Sequence, residues 1–137
     1  MKKKVSLVLL IASLSYGYEP SGVLKGYLEE LKVEAKKQNK EFKDFDSNRG
    51  KEIFFTKKIV DGKEISCVTC HSNNLRTAGI NSKTNKVIEP LSPSVNKERL
   101  TDLKEMKKWL KRNFNDVYKR EGTAQEKGDV LTFIYKN

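Results

Sequence analysis

Histidine and cysteine are scarce in this sequence of 137 residues, which holds one histidine and two cysteines. All three lie within the pentapeptide CVTCH at residues 67–71. This set is too small for a structural zinc site, which needs four ligands. A thioredoxin-like redox pair is also disfavoured, because no βαβ pattern surrounds the two cysteines. Long apolar runs are absent as well: the longest, residues 5–14, is too short for a comfortable membrane span.

The arrangement Cys67-x-x-Cys70-His71 is typical of a covalent attachment site for haem c. In such a site the two thiols add to the haem vinyl groups, and the adjacent imidazole becomes the proximal iron ligand. The sequence therefore predicts one covalent haem c per chain, bound by Cys67, Cys70 and His71.

Residues 1–17 have the pattern of a secretory signal peptide. Three lysines precede the apolar run, and small residues at positions 15 and 17 favour cleavage after Gly17. We expect a periplasmic protein whose single domain comprises residues 18–137, with an uncleaved membrane anchor as the alternative. Export agrees with the motif, since haem c is attached outside the bacterial inner membrane.

The charge of the expected mature chain is positive but dispersed. Without the three N-terminal lysines, 25 basic and 18 acidic residues remain of the 28 and 18 in the full sequence. Spread lysines and export disfavour nucleic acid as a partner and favour a solvated surface or an acidic protein partner. Only 36% of all residues are hydrophobic, so we expect the macrocycle to fill part of the core.

Apolar residues recur at helical spacing in several segments and predict an all-α fold. Ser21 is expected to begin the first helix and Ser47 the second, which runs to about Phe55. A short helix is expected to begin at the CVTCH motif and to run to about Asn73. A further helix begins after Thr101 or Asp102, and a capping box at residues 123–126 opens the last one. The prediction is a small cytochrome c-like domain of four to five helices around one haem.

Residues 76–100 form a long segment with little helical pattern and a possible hairpin between 76–80 and 86–89. Long loops in compact domains are often functional, so we expect this one to cover a face or edge of the haem. The carbonyl of Pro90 or Pro93 is a possible acceptor for the Nδ1 proton of His71, since ligating histidines usually have such a partner. Equally, both prolines could serve only to stiffen the loop.

Two residues of one apolar stripe compete for the sixth iron position. Met106 is the only methionine after residue 1, and methionine would give a low-spin electron carrier. Asn113 lies two turns further, where an amide on an apolar face needs a partner. Seven residues separate them by about 10 Å along a helix, so only one can face the iron. The absence of a second histidine excludes bis-histidine ligation.

Beyond the motif, five blocks resemble the small monohaem cytochromes c typified by sphaeroides haem protein. They are CVTCH at 67–71, NKVIEPLSPS at 85–94, RLTD at 99–102, KWLKRNFNDVYKREGT at 108–123 and EKGD at 126–129. The resemblance covers roughly residues 45–135. It implies that Asn113, which follows arginine in the fourth block, binds the haem iron and leaves on reduction, opening a site for oxygen or nitric oxide. It also implies a dihaem cytochrome c or a membrane cytochrome b as redox partner.

The family pattern has two cysteines, bridged near the distal helix, at the positions of Phe114 and Gly122. Their joint replacement indicates loss of a disulfide worth about 2–3 kcal/mol in the chain-entropy model. Burial of Phe114 could recover part of this, at about 1.5–3 kcal/mol.

The sequence thus favours an electron-carrying cytochrome over an enzyme, because no second histidine is available as a general acid or base. The alternative is a protein that binds oxygen or nitric oxide, or converts a small molecule, at the site vacated by Asn113. A neutral amide oxygen is a hard ligand that should prefer ferric iron, so we expect a potential below that of a His/Met cytochrome.

Overall fold

A computed structural model describes residues 18–137 of the protein; the expected signal peptide at 1–17 lies outside them. The described part consists of five helices and two short antiparallel hairpins. In chain order the elements are α1 (Gly22–Gln38), α2 (Ser47–Phe55), β1 (Lys58–Val60), β2 (Lys63–Ile65), α3 (Val68–His71), β3 (Gly79–Ile80), β4 (Val87–Ile88), α4 (Leu103–Tyr118) and α5 (Ala124–Tyr135).

Side-chain caps fix where the long helices begin. The hydroxyl of Ser21 accepts from the amide of Leu24 at 3.1 Å, as predicted. The second helix starts one residue earlier than predicted, because Asp46 rather than Ser47 supplies the cap. Asp102 is the cap of α4, one of the two predicted alternatives, and the predicted capping box of Thr123 opens α5.

The first hairpin was not predicted from the sequence. Asp61 and Gly62 both have positive φ, 51° and 73°, which suits a two-residue hairpin turn. The flanking strands pair from Lys58 with Ile65 to Val60 with Lys63. Strands of three residues are too short to give a clear alternating pattern in the sequence.

The core lies where α1, α2, α4 and α5 meet. One face of α1 is buried at the predicted helical spacing, and α5 is buried on nearly all sides. The aromatic rings of Phe54 and Phe133 lie 5.6 Å apart between α2 and α5. The buried apolar residues are Leu24, Tyr27, Leu31, Ala35, Phe42, Phe54, Leu75, Met106, Leu110, Phe114, Val117, Ala124, Val130, Leu131, Phe133 and Ile134.

A buried carboxylate joins α5 to the beginning of α2. Asp129 is only 2% exposed and accepts from the backbone amide of Asp46 at 2.7 Å and from Arg49 Nε at 2.8 Å. Gly50 is adjacent to this contact, and a Cβ there would lie 2.9 Å from the Cβ of Phe133 and even closer to the backbone of Asp129. The ion pair and the close backbone approach therefore fix α2, which borders the site described next.

Within residues 18–137, no helix has both the length and the apolar character needed to cross a lipid bilayer.

Candidate functional site

The two cysteines and the histidine of the motif come together on one short helix. The carbonyl of Cys67 accepts from the amides of Cys70 and His71 at 3.3 and 3.0 Å, and Thr69 Oγ1 accepts from the amide of Ser66 at 2.9 Å. The helix ends at His71, two residues earlier than predicted, because Ser72 adopts a positive φ of 68°. One turn of helix thus presents both thiols and the imidazole together.

The second hairpin, predicted within residues 76–100, supports this helix. Gly79 and Ile80 pair with Ile88 and Val87. A Cβ at Gly79 would overlap the carbonyl of Cys70, so only glycine permits this close backbone approach. The long loop is therefore packed directly on the motif.

A cavity of about 750 Å3 opens beside the motif. Cys67, Cys70 and His71 line one part of it, and residues of the long loop between 76 and 100 line another. Helix α4 supplies a further wall, which includes both Met106 and Asn113. Its volume is within the usual range for sites that bind small molecules and cofactors.

Asn113 faces His71 within this cavity. Its Nδ2 lies 3.5 Å from His71 Nε2, whereas Met106 is 6% exposed and belongs to the hydrophobic core. Asn113 is half-buried on α4 between the buried residues Leu110 and Phe114. The structure therefore brings together all four residues predicted for the site: Cys67, Cys70, His71 and Asn113.

Burial affects the protonation of the two most enclosed groups. It raises the pKa of the Cys67 thiol to about 12. Burial, with a smaller contribution from the nearby positive charge of Arg99, lowers the pKa of His71 to about 4. The imidazole is thus neutral at pH 7, which is the form that binds a metal. Cys67 and Cys70 form no disulfide with each other, so both sulfur atoms are available for covalent attachment.

The predicted partner of His71 is not found. His71 Nδ1 is buried without a hydrogen-bond partner among the described residues. The Pro90 carbonyl instead accepts from Asn96 Nδ2 at 3.1 Å and from Arg99 Nε at 2.9 Å. The prediction that the carbonyl of Pro90 or Pro93 accepts from His71 is therefore wrong, because His71 Nδ1 has neither as a partner. At Pro90, two side chains of the same loop already bind the carbonyl.

The side chains of the cavity wall that were not predicted as site residues include Arg99 and Trp109. Arg99 lies in the loop, and Trp109 lies one turn before Asn113 on α4. The indole of Trp109 is 42% exposed, donates to Glu105 Oε2 at 2.9 Å and has the guanidinium of Arg112 4.9 Å from its ring centre. In the sequence, the only indication for Arg99 was its position in the RLTD block at 99–102, and for Trp109 its position in the block at 108–123.

Known proteins resemble the chain in sequence. A family model described as "Domain of unknown function (DUF1924)" matches residues 40–134. The "Cytochrome c-type protein SHP" of Cereibacter sphaeroides is 38% identical over 90 residues, which are 65% of this chain and 69% of that protein. The chain belongs to this cytochrome c family. "Cytochrome c''" of Methylophilus methylotrophus is 34% identical over 84 residues, which are 60% of this chain and 58% of that protein.

Solved structures of this cytochrome c family also share the fold. Oxidised cytochrome c'' of Methylophilus methylotrophus has a TM-score of 0.75 at 27% identity, covering 82% of this chain and 92% of that one. Oxidised SHP, described as an oxygen-binding cytochrome c, has a TM-score of 0.74 at 30% identity, covering 87% and 99%. The predicted fold, a small all-α cytochrome c domain with one covalent haem c, is thereby confirmed.

The cavity of this cytochrome c fits a covalently held haem. Both thiols of the motif are free at the cavity wall, and His71 Nε2 is directed toward the opposite side chain of Asn113. Cys67 and Cys70 could hold such a group covalently, and the facing side chains of His71 and Asn113, 3.5 Å apart between Nε2 and Nδ2, could both serve as ligands to its iron.

Proposed function

We propose that the protein is an exported monohaem cytochrome c that carries electrons and has Asn113 as a weak distal ligand. The observation that carries this proposal is the position of the Asn113 amide, 3.5 Å from His71 Nε2 inside the cavity. Bound haem supplies one-electron redox chemistry and a coordination position on the distal side. The protein determines which side chain occupies that position and how firmly it is held.

Each motif residue has a separate role in this proposal. Cys67 and Cys70 hold the macrocycle through thioethers, and His71 is the proximal ligand through Nε2. The buried Nδ1 of His71 has no acceptor among residues 18–137.

Asn113 is a better distal candidate than Met106 on the geometry of α4. Met106 is packed in the core, where a thioether fills irregular space well. Asn113 carries a polar amide next to buried apolar neighbours, and its nearest recorded side-chain polar contact is the 3.5 Å approach to His71. A polar group in such a place is costly unless it gains a partner, and an iron ion would supply one.

Asn113 should leave more readily than methionine on reduction. A neutral amide oxygen is a hard donor and prefers the more highly charged ferric ion. Release of the side chain requires a rotation about its χ angles, since α4 itself is fixed by the burial of Leu110, Phe114 and Val117.

Export and partners complete the proposal. Residues 1–17 would be a signal peptide, and residues 18–137 the single periplasmic haem domain. The expected partner is a redox protein, either a dihaem cytochrome c or a membrane cytochrome b. The pattern of residues 1–17 supports export, and the family resemblance alone supports the identity of the partner.

A second candidate function is binding of oxygen or nitric oxide, or conversion of a small molecule, at the position vacated by Asn113. A weak distal ligand in a cavity of about 750 Å3 favours it, and the related SHP is described as an oxygen-binding cytochrome c. Turnover of nitric oxide, measured beside the rate of autoxidation, separates this function from simple electron transfer.

Absorption spectra of the ferric and ferrous protein test the assignment of the distal ligand. We expect the wild type to have a weak-field ferrous haem that binds carbon monoxide rapidly. Asn113→Ala should change the ferric spectrum and leave the ferrous carbon monoxide spectrum nearly unchanged. Met106→Leu, a matched change on the same helix stripe, should leave both spectra as they are.

An iron–sulfur charge-transfer band in the ferric wild type, lost in Met106→Leu, would replace Asn113 by Met106 as the ligand. A ferric spectrum that is identical in wild type and Asn113→Ala would exclude Asn113.

A further inference from the structure

Arg99 is held at the cavity wall by the loop on which it lies. Its Nε donates to the Pro90 carbonyl at 2.9 Å, and its Nη2 donates to the Glu89 carbonyl at 2.7 Å. The side chain is half-buried and lines the same cavity as His71. Two hydrogen bonds to successive carbonyls fix the guanidinium plane, so its position is determined before any ligand is bound.

Arg99 forms no salt bridge with any carboxylate in the part of the chain that the structure describes. Both of its acceptors among these residues are neutral carbonyls. Burial lowers its pKa, and the negative charge of Glu89 opposes this with a smaller effect. A charge removed from water is costly unless it is paired, so the cavity is expected to receive an anion here.

The remaining donors of Arg99 match a carboxylate. A guanidinium has five N–H groups in a planar fork, and two are used by the carbonyls. The Nη1 amine forms no hydrogen bond with the described part of the chain, and Nη2 retains one N–H. Such a pair of donors is the arrangement that binds a carboxylate in bidentate fashion.

We infer that Arg99 binds one propionate of the haem and keeps it ionised. A haem carries two propionate carboxylates, and the covalent haem must lie in the cavity that Arg99 lines. Because the inferred pair involves the periphery of the macrocycle, it is independent of whether Asn113 or Met106 is the distal ligand. The Asn113→Ala spectra therefore test only the distal ligand, and the experiment below tests only the pair between Arg99 and the propionate. Either one can fail without the other.

Arg112 is the other arginine of the cavity wall, after Arg99, and provides a matched control. It is exposed, and its guanidinium lies 4.9 Å from the ring centre of Trp109. An exposed cation stacked on an indole needs no buried anion, since water solvates it. We therefore expect Arg112 to have little effect on either propionate.

Carbon-13 NMR of protein with haem labelled at both propionate carboxyls tests the inference. In the wild type one propionate should titrate about 1–3 pH units below the other, as expected for a carboxylate beside arginine. Arg99→Gln should remove most of this separation, Arg99→Lys should keep part of it, and Arg112→Gln should retain it.

Several outcomes would overturn the inference. One is a wild-type protein in which both propionates titrate together, a measurement that needs no variant to fold. Another is Arg99→Gln that lowers the urea midpoint but leaves the separation intact, because Arg99 would then only fix the loop through Glu89 and Pro90. Loss of the separation in Arg112→Gln instead would assign the propionate to Arg112.

Discussion

Phe114 and Gly122 are in close contact, and a larger side chain at residue 122 should lower the free energy of unfolding by a predictable amount. The resemblance places a disulfide at these two positions, and here the buried ring of Phe114 lies against Gly122 instead. A Cβ at residue 122 would be 2.9 Å from Cδ1, Cδ2 and Cε1 of the ring, which places it over the ring face. We therefore expect Gly122→Ala to be destabilising despite its small size.

The expected magnitude follows from two opposing effects. The backbone of Gly122 has no positive φ, so alanine should gain about 0.4–1 kcal/mol by restricting the unfolded chain. Overpacking against a buried ring costs about 1–3 kcal/mol. The net result should be a loss of about 1–2 kcal/mol in the free energy of unfolding, measured by urea denaturation of the haem-loaded protein.

A control and a double-mutant cycle isolate the steric effect. Gly26 lies on the exposed side of α1 with nothing within 4 Å of a built Cβ, so Gly26→Ala should be stabilising by about 1 kcal/mol. Phe114→Leu combined with Gly122→Ala should be more stable than the sum of the single changes by about 1 kcal/mol. Additivity within about 0.5 kcal/mol, or a stabilising Gly122→Ala, would refute the proposed contact.

Other features lead to further measurable outcomes. Asp129→Asn should lower the free energy of unfolding by about 3 kcal/mol in urea titrations, the low end for a broken buried pair, because Arg49 is 43% exposed; a loss below about 1 kcal/mol would contradict this. The pKa of Glu126 is lowered, chiefly by its hydrogen bond to Arg120, so its ionised form stabilises the fold above the unfolded pKa of about 4.3. That stabilisation is lost as pH falls through the lower folded pKa, so the stability difference between wild type and Glu126→Gln should shrink below about pH 4; a pH-independent difference would contradict it. Cys67→Ser should leave a haem held by one thioether, seen as a red shift of the pyridine haemochrome band, and an unshifted band would show that this thiol is not attached.

The sequence predicted those parts of the fold that depend on local patterns. The buried face of α1 follows the helical spacing of Leu24, Tyr27, Leu31 and Ala35. The cap of α2 was misplaced by one residue, because aspartate and serine are about equally good in that position and both precede the same helix. Helix-capping propensity therefore cannot choose between Asp46 and Ser47. The observed cap, Asp46, is also the residue whose backbone amide donates to buried Asp129, 83 residues away.

The prediction that the Pro90 carbonyl accepts a hydrogen bond from His71 failed for a different physical reason. The sequence shows that a proline carbonyl lies in the loop, but not which donor reaches it. Arg99 and Asn96 are nine and six residues away and both bind this carbonyl, which leaves His71 Nδ1 without a partner. A loop with little regular structure is defined by such side-chain bonds, and residue periodicity carries no information about them.

The choice between Met106 and Asn113 shows where sequence reasoning ends and tertiary structure begins. Both residues lie on one stripe of α4 and both line the cavity, so helical periodicity alone treats them alike. What separates them is the position of α4 along its own axis relative to His71. Long-range contacts at both ends set that position: Ser21 Oγ donates to the Leu100 carbonyl before α4, and Tyr118 Oη at its end donates to the carbonyl of Ile53. A shift of one turn, about 5.4 Å, would move Asn113 away from His71, so which side chain of α4 faces His71 depends on these contacts as much as on the asparagine itself.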